Sequence, residues 1–228
     1  MQPPRNHNIR WFMLSLVFLA TTINYLDRQV MGLLKPVLEK EFSWDEKDYS
    51  YIVMAFTTTY AIGYLAMGRF IDRVGTKIGY AVSLIVWSLA SIGHGFVKST
   101  VGFLIARSTL GISEAGNFPA AIKSVAEWFP KKERALATGI FNSGATVGAI
   151  LAPLLVPIIL AHYGWRETFV WIGALGLLWI VLWWRFYSIP EKTKQLSQEE
   201  LAYIKSDQDG KTEEQSKVPL SEILKYKV

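Results

Sequence analysis

The chain has no cysteine among its 228 residues. Disulfide staples, thiol nucleophiles and cysteine-based metal sites are therefore excluded. Histidine is scarce too, with three residues, and no metal-ligand spacing, phosphate loop or nucleophile elbow is present to suggest a soluble enzyme. Asp, Glu, Lys and Arg together make up 19 % of the chain, where an ordinary soluble domain carries about a quarter. The net charge of +5 does not indicate a nucleic-acid partner. The Lys and Arg lie mainly in connecting segments, not along one basic stripe.

Apolar residues are abundant: 51 % of the chain, with nine Trp, ten Tyr and twelve Phe. They fall into six blocks, 11–34, 49–71, 78–97, 101–128, 135–160 and 168–187. Each is about 20 residues or longer and nearly free of charge, the length a helix needs to cross roughly 30 Å of hydrocarbon. The expected fold class is an all-α integral membrane protein, a six-transmembrane-helix bundle over 11–187. A short N-terminus at 1–10 precedes it and a polar segment at 188–228 follows. The first block is not a signal peptide, since it carries Asn24, Asp27 and Arg28 where a small-residue cleavage site would stand.

Orientation follows from Lys and Arg. Arg5, Arg10, Arg69, Arg73, Lys77, Lys123, Lys131, Lys132, Arg134, Arg185, Lys192 and Lys194 fall on one side. Lys35, Lys40, Lys47, Lys98 and Arg166 fall on the other. Both ends are thus expected in the cytoplasm. Trp11, Trp44, Trp128, Trp165, Trp183 and Trp184 sit near span boundaries, as an interfacial aromatic belt would place them. Trp87, Trp171 and Trp179 lie inside spans and read as lipid-facing or core packing. Beyond the blocks, Ser197-Gln198-Glu199-Glu200 is a capping box predicting a short helix to about Lys205. A polar linker and an amphipathic stretch at 218–228 follow it.

Away from the basic-rich ends of the blocks stand four ionised residues: Asp27 and Arg28 in the first, Arg107 and Glu114 in the fourth. Each costs at least ~2.5 kcal/mol at the bilayer centre, so such groups face a partner or a wet cavity. Arg28 and Arg107 each lie about six residues inside the outer end of their spans, roughly 9 Å deep. Glu114 is two turns deeper, near the midplane. The first and fourth helices are expected to face each other with Asp27 near Arg107, leaving Arg28 and Glu114 turned to the interior. Two salt bridges that merely pin helices together are the structural reading of these four, but buried ion pairs stabilise poorly against apolar packing. A free guanidinium suits a carboxylate, because it holds both oxygens at once. Glu114 and Asp27 are candidate proton carriers.

Polar residues surround the charges at helical spacing. Asn24 shares a face with Asp27 and Tyr25 with Arg28, while Tyr60 follows Thr57-Thr58-Thr59 in the second span. Asn117 comes three residues after Glu114, and Asn142 and Ser143 lie in the fifth block. Tyr and Asn suit sugar hydroxyls, and suit interhelical hydrogen bonds equally well. His94, near an outer helix end, reads as a solvated boundary residue. Gly144 and Gly148 make a small-xxx-small face for close helix contact.

The connection Gly68-Arg69-Phe70-Ile71-Asp72-Arg73-Val74-Gly75-Thr76-Lys77 could be a solvated basic loop. It also closely resembles the signature loop of the major facilitator superfamily, with Gly68, Asp72, Arg73 and Gly75 as its gating residues. Arg107 through Ala115 resembles the same superfamily's fourth-span motif. Within it the chain looks most like the anion:cation symporters. The segments that carry this are Asn24-Tyr25-Leu26-Asp27-Arg28, Arg107 through Pro119, and Glu127 through Arg134 running on to Asn142-Ser143-Gly144. The last points to the hexuronate branch, whereas the galactonate branch tends to carry Gln at the position of Ala145.

The resemblance implies proton-coupled symport of a sugar acid such as glucuronate or galacturonate across a bacterial inner membrane. It assigns Arg28, Tyr25 and Tyr60 to the substrate, and Asp27, Glu114 and Arg107 to proton coupling; helical spacing alone adds Asn24 and Asn117 as substrate-binding candidates. No metal or organic cofactor is implied; the coupling ion is H+, and the partners are a small organic anion, membrane lipid and a second half. Pro153 stands five residues after Gly148, unlike the Gly-Pro motif of superfamily antiporters, which favours symport. Family members have twelve spans in two halves, so this chain is expected to be an N-terminal half. Two other readings stay open: a sugar-acid sensor on a transporter fold, and a non-functional fragment.

Overall fold

The computed structural model describes residues 8–193 and 195–207. Arg5, Lys194 and the 218–228 stretch lie outside the described residues. The elements are α1 (Asn8–Phe42), α2 (Glu46–Val74), α3 (Thr76–His94), α4 (Thr100–Glu114), α5 (Asn117–Trp128), α6 (Lys131–Tyr163), α7 (Trp165–Phe186), a 3-10 turn (Pro190–Lys192) and α8 (Gln198–Lys205). No strand occurs among the described residues. Five helices, α1, α2, α3, α6 and α7, are long and apolar enough to cross a membrane.

The expected continuous span at 101–128 is two helices instead. Between α4 and α5 the chain tightens at Ala115 and Gly116, where Gly116 N–H reaches back only three residues to the Ser113 carbonyl at 3.2 Å. Gly116 is pressed against the Ser83 hydroxyl of α3, so a side chain there would collide. Elsewhere the helices run further than the apolar blocks. Lys35 and Lys40, expected in a connection, lie on the 35-residue α1. The gating segment is helical through Val74 rather than a loop, and the turn is made at Gly75 alone, with φ of 85°. A Cβ is strained in that region. Gly68, by contrast, faces open space and makes no close approach.

Capping explains the sharp starts. Asp45 accepts from the amides of Lys47 and Asp48, both at 2.8 Å, while Asp48 returns a bond to the Asp45 amide at 3.2 Å. Ser99 accepts from Gly102 N–H at 3.2 Å, and Ser197 opens α8 by accepting from Glu200 N–H at 3.1 Å.

α1 packs against α6, α7 and α5; α2 against α4; and α3 against α7 and α4. Glycines let these backbones touch. A Cβ at Gly144 of α6 would stand 2.6 Å from the Phe18 carbonyl of α1, and one at Gly148 would run into the Thr22 carbonyl. Gly63 of α2 does the same on the Ile112 carbonyl of α4, at 2.8 Å. Lipid offers no hydrophobic drive for helix association, so such contact supplies dispersion that larger residues would prevent.

The tryptophans depart from the expected belt. Trp44, Trp128, Trp165 and Trp183 are buried, and of that group Trp184 is fully out at the surface. Their indoles satisfy protein groups: Trp183 donates to the Lys77 carbonyl at 2.9 Å, Trp128 to the Ser188 carbonyl at 3.1 Å and Trp44 to Thr100 Oγ1 at 2.8 Å. Trp87 and Trp179 are core, while Trp171 is exposed.

The end carrying most of the basic residues is tied by polar contacts. Asp72 meets Lys123 at 2.8 Å, and Arg73 is exposed. Glu127 accepts from Thr76 Oγ1 at 2.5 Å and from the Tyr187 hydroxyl at 2.6 Å. Arg10 pairs with Glu133 at 2.6 Å, and Glu133 also accepts from the Tyr203 hydroxyl of α8 at 2.5 Å. α6 begins at Pro130 without a side-chain cap of its own. Asp207 supplies one, accepting from Lys131 N–H at 2.8 Å and Lys132 N–H at 3.1 Å.

Two outcomes follow from this packing. Gly148→Leu overpacks the α1–α6 seam and should cost about 1–3 kcal/mol, read as a lowered thermal midpoint in detergent. Gly139→Leu, in open space on the same helix, should leave the midpoint unchanged. Slight burial raises the Asp207 carboxyl, but the two amide bonds outweigh it and hold the group below the ordinary aspartate value. A depressed carboxylate contributes above its unfolded value and ceases to contribute as pH falls through the folded one. Asp207→Ala should therefore speed hydrogen exchange of α8 severalfold at pH 7. The difference from the parent should vanish in acid below the ordinary aspartate range, after correction for intrinsic rates.

Candidate functional site

The charged residues meet in the interior where α1, α2, α3 and α4 converge. Arg28 Nε of α1 donates to Glu114 Oε2 of α4 at 2.8 Å, with side-chain exposures of 20 % and 0 %. The expected closeness of Asp27 and Arg107 holds, their charges lying near enough to interact, but Arg28 is not left free and the hydrogen bond of Asp27 goes elsewhere. Asp27 instead accepts from Ser91 Oγ of α3 at 2.7 Å. The reason is rotational. Asp27 and Arg28 are adjacent, so they point about 100° apart on the helix, and α1 turns Asp27 to α3 and Arg28 to α2 and α4.

Aromatic rings set Arg28 in place. Its guanidinium carbon lies 5.1 Å from the ring centre of Tyr25, 4.3 Å from that of Tyr60 and 5.5 Å from that of Phe56. Each such contact is worth about 0.5–2 kcal/mol, the upper end applying when the cation is desolvated. Arg107 packs on Phe56 as well, at 4.9 Å. It is buried, and its Nε and Nη1 have no hydrogen-bond partner. Glu114 Oε1, Asp27 Oδ2 and both amide atoms of Asn24 are buried without partners too.

An unsatisfied buried polar group costs about 1–3 kcal/mol. Several gathered in one place are poor scaffolding. Two guanidiniums and two carboxyl groups, each with unused bonding capacity, make a locus whose chemistry suits an anion and a transferable proton.

The candidate residues do not all join this locus. Tyr25, Tyr60, Asn24, Asp27, Arg28, Arg107 and Glu114 do. Asn117 does not: its Oδ1 accepts from the Tyr80 hydroxyl of α3 at 2.6 Å, so it serves an interhelical hydrogen bond. Gly68, Asp72, Arg73 and Gly75 lie at the basic-rich end, on and just after α2. His94 is a correction in the other direction. It is 0 % exposed, donates from Nδ1 to the Ala90 carbonyl at 2.7 Å and stacks on Phe169 at 4.9 Å, leaving Nε2 without a partner. Burial follows because α7 closes over α3 at this level, which α3's own periodicity does not reveal.

Two contributors were not singled out from sequence, and a third, Gly111, entered only as part of the fourth-span motif. Ser91 lies three residues before His94, on the same face of α3, and that spacing was the available signal. Phe56, four residues before Tyr60, stacks on it at 5.9 Å with 20° between planes. Gly111, four residues after Arg107, lies against the Thr59 hydroxyl and seats α4 on α2.

Comparison with known proteins agrees with this geometry. The family model described as Major Facilitator Superfamily matches residues 17–228. A galacturonate transporter of Dickeya chrysanthemi is 39 % identical over 202 residues, covering 89 % of this chain and 59 % of that protein. A hexuronate transporter of Escherichia coli (strain K12) is 37 % identical over 202 residues, covering 89 % of this chain and 47 % of the other. The chain thus spans roughly half to three-fifths of the length of these curated relatives. Among solved structures, a bacterial homologue of the human lysosomal transporter Spinster, inward-facing and unoccupied, superposes with a TM-score of 0.71. That match has 24 % identity and covers 81 % of this chain and 44 % of that one, a likeness of fold alone. A bundle of membrane-length helices around paired charges, matched over nearly its whole length by that family model, belongs to the Major Facilitator Superfamily, a family of transporters and not of enzymes.

Proposed function

We propose that this chain is the N-terminal half of a proton-coupled symporter of sugar acids in a bacterial inner membrane, with both ends cytoplasmic. Hexuronates such as glucuronate and galacturonate are its substrates, and a second six-helix half completes the site. The observation that carries the reading is the Arg28–Glu114 contact of 2.8 Å, with the carboxylate fully buried and the guanidinium partly open. The names of the two relatives, a galacturonate and a hexuronate transporter, support the substrate class.

The chemistry follows from one shared guanidinium. Glu114 takes Nε of Arg28, so the terminal fork is left to receive a substrate carboxylate through two charge-assisted hydrogen bonds. The hydroxyls of Tyr25 and Tyr60, whose rings flank Arg28, and the Asn24 amide suit sugar hydroxyls. Substrate anion and Glu114 compete for the same cation. Protonating Glu114 removes its charge and releases Arg28 to the anion, and an anion on Arg28 in turn favours the protonated acid. By linkage the two binding steps strengthen each other reciprocally, which is what symport requires. Asp27, one residue away and held by Ser91, is a second proton carrier, and Arg107 biases both acids.

In the complete carrier, Arg28→Ala should reduce labelled glucuronate uptake about 100-fold, the loss expected when a hydrogen-bonded charge partner worth about 3 kcal/mol is removed. Glu114→Gln should still exchange labelled for unlabelled glucuronate across proteoliposomes yet fail to accumulate it under an imposed pH gradient. Full accumulation by that variant would end the proton-coupling reading while leaving the substrate reading intact.

A further inference from the structure

The site holds two guanidiniums but shows only one to solvent. Arg28 is one-fifth exposed, whereas Arg107 is 5 % exposed with Nε and Nη1 buried and unpartnered. Asp27 and Glu114 act on Arg107 through their charges yet leave its Nε and Nη1 without hydrogen bonds, so what covers it decides whether a further anion reaches it. The ring of Phe56 is the surface both cations share. Arg107 lies 4.9 Å from its centre and Arg28 5.5 Å, so the two are no more than about twice the longer distance apart. A six-carbon dicarboxylate carries its charges across a comparable span.

Phe56 cannot easily withdraw. Its own carbonyl stands 2.5 Å from where a Cβ on Gly111 would sit, so the backbones of α2 and α4 touch there. Gly111 is one turn beyond Arg107 on α4. On the other side, the Tyr60 ring stacks on Phe56. The backbone of Phe56 is thus pinned against α4, and its ring lies between the Tyr60 ring one turn along α2 and the Arg107 guanidinium of α4.

We infer that Phe56 restricts this site to singly charged sugar acids, by keeping a second carboxylate from Arg107. The inference rests on the sugar-acid reading of the same site. With Arg28 as the one accessible guanidinium, a monoanion finds its match. A dianion bound there brings its second carboxylate to an aromatic face, whose quadrupole is negative, with neutral donors but no second cation to offset its desolvation, which is heavily penalised. Selectivity of this kind comes from what is excluded as much as from what is bound. Phe56 is a specificity-determining residue that acts through Arg107.

The test is competition. In the complete carrier, the dianions glucarate and galactarate should compete with labelled glucuronate at least tenfold more weakly than unlabelled glucuronate does. Phe56→Ala, or Phe56→Leu where the alanine variant inserts poorly, should narrow that ratio at least tenfold. Phe56→Trp should preserve it. A variant that merely loosened the site would weaken both classes of anion alike, so an unchanged ratio in Phe56→Ala and Phe56→Leu overturns the inference. So does equal competition in the unsubstituted carrier. A carrier that takes up no sugar acid would instead sink the functional reading. The covering role is then decided by thiol labelling, for which the chain has no native cysteine. Arg107→Cys should react with an anionic methanethiosulfonate at least tenfold faster when combined with Phe56→Ala, and equal rates overturn it.

Discussion

A guanidinium and a carboxylate joined across the interior of a lipid-embedded bundle impose the main constraint on this protein. Neither Arg28 nor Glu114 tolerates hydrocarbon alone, and an intramembrane charge that loses its partner is left desolvated at a cost of several kcal/mol. Their bond at 2.8 Å therefore holds α1 and α4 at a fixed separation. It also makes one element of the site responsive, since any change in charge at one end releases the other.

The surrounding packing keeps that contact at a defined depth. α1 is seated on α6 by Gly144 and Gly148, and α4 on α2 by Gly63 and Gly111. Both seams involve direct backbone contact, which leaves little freedom to slide. The tightening at Ala115 and Gly116 comes just after Glu114, so the residue bearing the buried carboxylate stands at the last position of α4. Beyond the break, Asn117 bonds Tyr80 and fixes α5 to α3. Both parts of the broken span thus rest on α3, while α5 alone also packs on α1 and α6.

Much was legible from residue order. Long charge-free blocks indicated membrane helices because hydrocarbon demands internally satisfied backbone over a known length. Charges inside them marked the site, since Asp27, Arg28, Arg107 and Glu114 have no other tolerable place. Depth could be counted from helical rise, and it set Arg28 level with Arg107 and Glu114 two turns deeper, so it did not reveal the Arg28–Glu114 contact, which the long Arg28 side chain makes. The small-residue pattern at Gly144 and Gly148 marked a contact face. The partner of each group was less legible. Asp27 and Arg28 differ by one helical step, and which of them meets Glu114 depends on the rotation of α1, set by contacts with α6 and α7. His94 looked like a solvated end residue, and α7 buried it. Four of the six boundary tryptophans went inward, and the indole N–H groups of Trp44, Trp128 and Trp183 found acceptors within the protein.

The amino-acid sequence by itself determined that this protein is a membrane bundle with a charged interior, because the cost of placing charge and open backbone in lipid is local and large. Tertiary structure alone decided that Arg28 holds Glu114, that Ser91 holds Asp27, and that Phe56 lies against both arginines. Those outcomes depend on the azimuth of each helix about its axis, a quantity the whole set of interhelical contacts fixes together.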